Sequence, residues 1–178
     1  MWATDFLANA AAGSVTGPAN EFSSVSIDTR TVEPGALFVA LRGENFDGHR
    51  FVAQAVAAGA VGVVVSQPVA VPTNVTVITV ADTLIALQQM GHAARMAFKG
   101  PVVAVTGSNG KTTTKQFIAS VLREYYRADG VLATEGNLNN HIGVPLTLLR
   151  LREAHEVAVI EMGMNHFGEI ERISRCAK

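Results

Sequence analysis

Short runs of β-branched residues alternate with turn residues in the first half of the chain. The runs LFVAL, GVVV and VTVITV occupy positions 37–41, 62–65 and 75–80 and are separated by Gly, Pro, Asn and Asp. That alternation predicts strands ended by turns. Between the first two runs, the segment 51–59 has the composition and length of a helix, which Gly59 would end. These elements predict a small α/β unit.

A longer helix follows this unit. Asp82 is a candidate N-cap, and apolar side chains recur near one face from there to about Phe98. The sequence Lys-Gly-Pro at 99–101 then ends the pattern. We therefore predict two domains, 1–99 and 100–178.

The second half begins with a strand, a glycine-rich loop and a helix in direct succession. The run VVAV at 102–105 is continuously apolar, as in strands buried on both faces of a parallel sheet. Apolar residues after the loop are spaced i, i+1, i+4, i+5 and i+8, so we expect one helix that buries this stripe. The stripe consists of Phe117, Ile118, Val121, Leu122 and Tyr125. A second strand, VAVI at 157–160, ends in Glu161.

The loop between that strand and that helix has the composition of a phosphate-binding loop. Its glycines let the backbone approach an anion, and the following helix directs free N–H groups and its positive dipole end toward the same anion. Val105 stands where the generic G-x-x-x-x-G-K-[ST] motif has its first glycine. The alternative is a glycine-rich turn with an exposed lysine. The residues expected to bind nucleotide phosphates are Gly107, Ser108, Asn109, Gly110, Lys111, Thr112 and Thr113.

Three side chains in and near the loop carry candidate chemistry. Lys111 would place an ammonium near the β- and γ-phosphates, and the Thr112 hydroxyl lies where a Mg²⁺ ligand is needed. Ligands of open α/β sheets gather at the carboxyl ends of strands, so Glu161 lies near the loop if the two strands are neighbours. Mg²⁺ prefers oxygen ligands from carboxylates and phosphates. We therefore expect Thr112 and Glu161 to hold Mg²⁺, with a surface carboxylate as the alternative for Glu161.

Two further segments each allow two interpretations. The segment 135–145 crowds three asparagines together with glycine and proline, which suits either a turn or a polar surface for sugar hydroxyls and phosphate oxygens. In the segment 26–30, Arg30 is a possible anion-binding group. The residues alone favour a surface ion pair between Asp28 and Arg30, which contributes about 0–1 kcal/mol.

Composition and charge narrow the class of protein. The 178 residues suffice for two small cores, and 48% apolar with 16% charged residues indicates a chain that is folded throughout. A formal charge of −1 gives no general attraction to nucleic acid or anionic membranes. Cys176 is the only cysteine, which excludes an internal disulfide framework and favours a reducing cytoplasm. The most apolar stretch, 53–65, is shorter than the roughly 20 residues of a membrane span, and we expect neither membrane insertion nor export.

The loop and three other regions resemble the Mur ligase family. The sequence TGSNGKTTT at 106–114 is similar to that family's loop, which also lacks the first glycine, although folylpolyglutamate synthases share this loop type. Within the family, the other regions look most like members that add D-alanyl-D-alanine. These regions are SIDTR at 26–30 with PGALFVALRGENFDGHRF at 34–51, GNLNNHIGVPLTLLRL at 136–151, and AVIEMGMNHFGEI at 158–170.

The resemblance implies an activity and its partners. ATP, with Mg²⁺, would phosphorylate the terminal carboxylate of UDP-N-acetylmuramoyl-tripeptide, and the amine of D-alanyl-D-alanine would then displace phosphate. Lys111 would be the catalytic group that stabilises charge on the transferred phosphoryl group. The residues implied for the muramoyl side of the substrate are Asn137, Asn139 and Asn140, and those for its UDP end are Thr29 and Arg30.

The fold class implied is α/β. A small N-terminal α/β substrate-binding domain would precede the first part of a P-loop ATPase domain with a mostly parallel sheet. Family members continue beyond position 178, so we expect that these residues alone do not ligate, and that the intact protein is a cytoplasmic monomer that binds no nucleic acid. The alternatives are a family member that adds the third residue, a folylpolyglutamate synthase, or a non-catalytic nucleotide-binding module.

Overall fold

The computed structural model describes residues 1–43, 46–164 and 168–178, apart from the side chain of Arg172. Parts of the segments 34–51 and 158–170 therefore lie outside the described residues. The strands are β1 (Trp2–Ala3), β2 (Ser14–Thr16), β3 (Glu21–Phe22), β4 (Val25–Ser26), β5 (Leu37–Val39), β6 (Gly62–Val65), β7 (Thr76–Thr79), β8 (Val102–Val105), β9 (Val131–Ala133) and β10 (Val157–Glu161). The helices are α1 (Thr4–Ala10), α2 (Val52–Ala57), α3 (Thr83–Ala97), α4 (Lys111–Tyr126), α5 (Gly143–Leu148) and α6 (Glu169–Ala177), and 3₁₀ turns occupy Thr29–Thr31 and Gly48–Phe51.

The chain forms two compact units, each with most of its contacts inside itself, and the first of them is Met1–Met90. Its main sheet has the strand order β2-β7-β6-β5-β4, in which all neighbours are parallel except the antiparallel pair β2 and β7. Strands β5, β6 and β7 occupy the three predicted apolar runs, and α2 lies between the first two. Gly59 ends that helical segment at φ +115°, a conformation that glycine adopts without strain. The predicted α/β fold is confirmed.

The second unit, Gly91–Lys178, contains a three-stranded parallel sheet in the order β8-β10-β9. Helix α4 packs on it through Ala119, and Ile118 and Leu122 pack partly buried against the same cluster. The register pairs Glu161 with Val105, the last residues of β10 and β8. The two strands are therefore neighbours, as the prediction for Glu161 required.

Helix α3 crosses the division between the two units. Its N-terminus is capped by Asp82, whose Oδ1 accepts hydrogen bonds from the backbone N–H groups of Leu84 and Ile85 at 2.8 and 2.9 Å, as expected. Its first turn belongs to the first unit, while later in the helix Arg95 Nε donates to the carbonyl of Ala177 in the second unit. The packing division thus lies inside α3, and the assignment of 1–99 and 100–178 as domains stays a prediction.

Two expectations about burial in the second unit are wrong. The predicted stripe on α4 is buried only in part: Ile118 and Leu122 pack against the core, but Phe117, Val121 and Tyr125 are 70%, 69% and 81% exposed. Successive helical residues are turned by about 100°, and the face that meets the sheet carries Lys115 and Ala119 instead. Strand β8 is not buried on both faces either, because Ala104 is exposed and Val102 and Val103 are only half-buried.

Among the described residues, no helix combines the length and apolarity needed to cross a membrane.

Candidate nucleotide and metal site

The glycine-rich loop leaves the end of β8 and enters α4 in the conformation that its glycines predict. Gly107 has φ +149° and Gly110 has φ +73°, values that side-chain-bearing residues rarely adopt. Gly110 is the N-cap of α4, and its carbonyl accepts the hydrogen bond from the backbone N–H of Thr114 at 2.8 Å. The loop from Gly107 to Gly110 is exposed. The helix therefore offers its unpaired N–H groups and positive dipole end at an accessible surface, which is the arrangement that binds phosphate.

Lys111, the first residue of α4, curls back over this loop. Its Nζ donates a hydrogen bond to the carbonyl of Gly107 at 2.8 Å. This contact holds the ammonium against the backbone of the exposed loop. A phosphate bound there would meet both the N–H groups and a positive charge.

Glu161 lies at the carboxyl end of β10, beside the start of α4. Only 1% of the residue is exposed. Its Oε1 accepts hydrogen bonds from Thr112 Oγ1 at 3.2 Å and from Asn139 Nδ2 at 2.8 Å. Its backbone N–H donates to Thr134 Oγ1 at 2.9 Å. The structure thus brings Thr112 and Glu161 together as expected and adds two polar neighbours that the sequence did not indicate for this role.

Lys115 is a site residue that the sequence analysis missed. It is buried, with 4% of the residue exposed, and its Nζ lies 3.2 Å from Oε2 of Glu161. Helical spacing was an available signal, because Lys115 follows Lys111 by four residues and so lies on the same face of α4. Burial of its charge could not be read from the sequence, since it depends on how α4 is rotated against the sheet.

The surroundings of Glu161 favour its ionised form. Burial raises the pKa of the carboxyl, but the hydrogen bonds from Asn139 and Thr112 and the adjacent Lys115 ammonium outweigh burial and hold that pKa below its usual value. The side chain is therefore a carboxylate at neutral pH. Its Oε2 is buried and, among the described residues, accepts no hydrogen bond of good geometry, so its contact with Lys115 is that of an ion pair.

These donors fit Mg²⁺. A buried carboxylate with one oxygen outside any hydrogen bond lies next to the Thr112 hydroxyl, and both are hard oxygen ligands. The described residues contain no group of three or more His, Cys, Asp or Glu side chains that could hold a metal. At nucleotide sites Mg²⁺ usually keeps several waters and binds phosphate oxygens besides one or two carboxylates.

The asparagine-rich segment both builds turns and reaches the site. Asn140 Oδ1 accepts hydrogen bonds from the backbone N–H groups of Ile142 and Gly143 at 3.0 and 2.8 Å, which leads the chain into α5. Asn139 orients Glu161 through its side chain, while Asn137 is exposed. The two interpretations of this segment are thus compatible, and substrate binding by Asn137, Asn139 and Asn140 stays a prediction.

In the first unit, the structure forms the ion pair that the residues alone favoured. Asp28 caps the 3₁₀ turn Thr29–Thr31, and its carboxylate accepts hydrogen bonds from the guanidinium of Arg30, including one from Nε at 3.0 Å. Hydrogen bonds from the Arg30 side chain and backbone lower the pKa of Asp28 to about 2. Arg30 itself is exposed and Thr29 is half-buried. Their role toward a substrate stays a prediction.

Residues 105–178 match the family model "Mur ligase middle domain", and residues 21–126 match "Mur ligase family, catalytic domain". The UDP-N-acetylmuramoyl-tripeptide--D-alanyl-D-alanine ligase of Bacillus subtilis (strain 168) is 51% identical over 154 residues, which cover 86% of this chain and 33% of that protein. The ligase of the same name from Escherichia coli (strain K12) is 44% identical over 158 residues, covering 89% and 34%.

Solved structures of MurF proteins are also similar to this chain. The crystal structure of MurF from Acinetobacter baumannii matches with a TM-score of 0.88 at 42% identity, covering 99% of this chain and 39% of that one. The MurF ligase from Thermotoga maritima, solved in complex with ADP, matches with a TM-score of 0.72 at 30% identity, covering 86% and 35%. The chain spans about a third of the length of the curated relatives it matches.

Proposed function

The chain belongs to the Mur ligase family, and from that premise we propose that it forms part of an ATP-dependent ligase that joins D-alanyl-D-alanine to UDP-N-acetylmuramoyl-tripeptide. The relatives that carry this name are similar over most of the chain. The product would be a precursor of peptidoglycan, made in the cytoplasm by a monomeric enzyme.

One observation carries this proposal. The phosphate-binding loop at the start of α4 lies beside Glu161, so that Thr112 Oγ1 and Glu161 Oε1 are 3.2 Å apart. A carboxylate and a hydroxyl at the end of a phosphate loop are what a nucleotide with its Mg²⁺ requires. Exposed N–H groups and the Lys111 ammonium lie at the same end of the helix.

The proposed reaction has two steps, formation of an acyl phosphate and formation of the amide. In the first, a carboxylate oxygen of the tripeptide attacks the γ-phosphorus of ATP, which forms an acyl phosphate and releases ADP. In the second, the amine of D-alanyl-D-alanine attacks the carbonyl carbon, the C–O bond to phosphate breaks, and the nitrogen loses a proton as the amide forms. Each step depends on neutralising negative charge near the γ-phosphate.

The residues of this chain act in the first step. The loop N–H groups from Gly107 to Thr113 bind and orient the phosphates, and Lys111 stabilises the charge that develops on the transferred group. Thr112 and Glu161 would hold Mg²⁺, which supplies Lewis-acid charge neutralisation when bound.

The polar side chains outside the loop would bind the other substrate. Asn137, Asn139 and Asn140 would face its muramoyl part, and Thr29 with Arg30 would hold its UDP end.

The test measures phosphate release by the full-length ligase that contains these residues. D-alanyl-D-alanine is compared with diaminopimelate, lysine and glutamate as the amine, in the presence of ATP and UDP-N-acetylmuramoyl-tripeptide. Of these four amines, we expect only D-alanyl-D-alanine to support phosphate release. Release that depends on one of the other amines would contradict the proposed substrate and indicate a different member of the superfamily.

A matched pair of lysine variants tests the role of the loop. Lys111→Ala should reduce turnover by at least about a hundredfold because it removes the charge at the γ-phosphate, while calorimetry should show nearly unchanged affinity for the UDP-linked substrate. Lys99→Ala, which removes an exposed lysine outside the loop, should leave turnover unchanged. Equal effects of the two substitutions would show that Lys111 has no special role.

A further inference from the structure

Lys115 has no part in the reaction as described, although it contacts the side chain at the centre of the site. It lies in the second turn of α4, buried, with Nζ 3.2 Å from Glu161 Oε2. Glu161 is the one ionic partner found for this ammonium in the described part of the chain. A lysine is rarely buried unless it is paired, so this pairing needs an explanation in terms of function or of stability.

The pair changes the charge that a metal would meet. Glu161 contributes one negative charge, Lys115 contributes one positive charge, and the other expected ligand, Thr112, is neutral. The charges of this carboxylate and this ammonium therefore cancel before any ligand binds. Affinity for hard divalent cations depends on the number of charged ligands, and Mg²⁺ gives up its water reluctantly. A site of this composition should bind the free cation weakly.

We propose that Lys115 is an internal counter-ion that makes metal binding depend on the nucleotide. By neutralising Glu161 it prevents the protein from retaining a divalent cation of its own, so that the cation enters with the phosphates of ATP, which supply the missing negative charge. Lys115 is then a positioning residue that acts through Glu161 and touches neither substrate. The inference rests on the proposed site at Thr112 and Glu161.

Other contacts of Glu161 support this division of roles. Thr112 and Asn139 hold Oε1, while Lys115 contacts Oε2, so the carboxylate is fixed from two sides. Asn139 and Thr112 already orient the side chain through neutral groups. What Lys115 adds to them is a positive charge, which offsets the charge of the carboxylate and repels a second cation.

The experiment measures Mn²⁺ binding by electron paramagnetic resonance, with and without ADP. Wild-type protein is compared with Lys115→Met, which keeps a long unbranched side chain without the charge, and with Lys115→Arg, which keeps the charge. Without ADP, Lys115→Met should bind Mn²⁺ at least about tenfold more tightly than wild type, because it removes a buried positive charge that contacts the carboxylate expected to bind the cation. Lys115→Arg should resemble wild type. With ADP, wild type should bind Mn²⁺ tightly, and the difference from Lys115→Met should shrink.

The outcomes separate this inference from the proposed function. If wild type binds no Mn²⁺ in the presence of ADP, the proposed metal site fails, and the inference fails with it. If wild type binds Mn²⁺ with ADP but Lys115→Met has unchanged or weaker affinity for free Mn²⁺, the inference alone is overturned. Should Lys115→Met fail to fold in metal-free buffer, Mn²⁺ is added during refolding. Recovery at concentrations that do not affect wild type supports the inference, and lack of recovery contradicts it.

Discussion

Replacing Glu161 by Gln should destabilise the second unit far more than the loss of an exposed ion pair would. The carboxylate and the Lys115 ammonium are both buried, and their charged atoms are 3.2 Å apart. Glutamine keeps the size of the side chain but removes its charge, so the ammonium stays buried without a counter-ion. Breaking a buried pair in this way costs about 3–5 kcal/mol. That is a large part of the roughly 5–15 kcal/mol by which a domain is stable.

A double substitution separates the pair from its surroundings. In Glu161→Gln with Lys115→Met, neither charge remains, and replacing a buried ion pair by neutral groups of similar volume is often close to neutral. The double variant should therefore recover most of the stability that Glu161→Gln loses. The coupling energy of the double-mutant cycle then measures the pair itself.

Urea denaturation followed by circular dichroism provides the assay, with an exposed pair as the control. Arg175 and Glu171 in α6 are 2.6 Å apart but lie in solvent, so Glu171→Gln should change the free energy of unfolding by less than about 1 kcal/mol. If Glu161→Gln costs no more than Glu171→Gln, or if the double variant is as unstable as the single one, the argument from burial is refuted.

Three further predictions concern the loop and the turns. Gly110→Ala should destabilise the chain by about 1 kcal/mol in urea denaturation and weaken ADP binding in calorimetry. The φ of +73° at Gly110 strains an L residue, although nothing lies within 4 Å of the added Cβ. Asn140→Ala should lower the free energy of unfolding by about 1 kcal/mol, because it removes two hydrogen bonds to backbone N–H groups. Asn137→Ala, at an exposed position, should change that free energy little. Equal losses in the two variants would contradict the geometry of this segment. For Asp28 the folded pKa of about 2 lies below the ordinary value of 3.8, so its contribution to stability is present above pH 4 and is lost as pH falls toward 2. A carboxyl titration by NMR checks this, and in Arg30→Ala the pKa of Asp28 should rise toward its ordinary value.

Local patterns were sufficient for the elements that position the site. The strands β5 to β8 and β10, the cap at Asp82 and the entry of the loop into α4 depend on residues adjacent in sequence, whose conformations are set by side-chain branching, capping and glycine. The place of Glu161 was predicted one step further, from the rule that strand ends share an edge. That step held because β10 pairs directly with β8.

The sequence was less informative about which face of helix α4 packs against the sheet. The apolar residues of α4 predict one buried stripe, but the helix is rotated so that only part of it meets the sheet. Ile118 and Leu122 pack against the core. The other three members, Phe117, Val121 and Tyr125, are exposed. The periodicity of a helix gives the angle between its residues but not the direction in which the core lies. Lys115 was missed for the same reason, since a lysine in an amphipathic helix is ordinarily expected to face solvent.

The sequence by itself determined that a glycine-rich loop with the composition of a phosphate-binding loop joins a strand to a helix, because its residues are contiguous and glycine adopts positive φ angles without strain. It also determined the candidates for charge and metal binding at Lys111, Thr112 and Glu161. Only the tertiary structure decided what surrounds Glu161. The strand order β8-β10-β9 and the rotation of α4 bring Asn139 and Lys115 to the same carboxylate, and contacts between residues that are distant in sequence depend on the free energy of packing the whole unit.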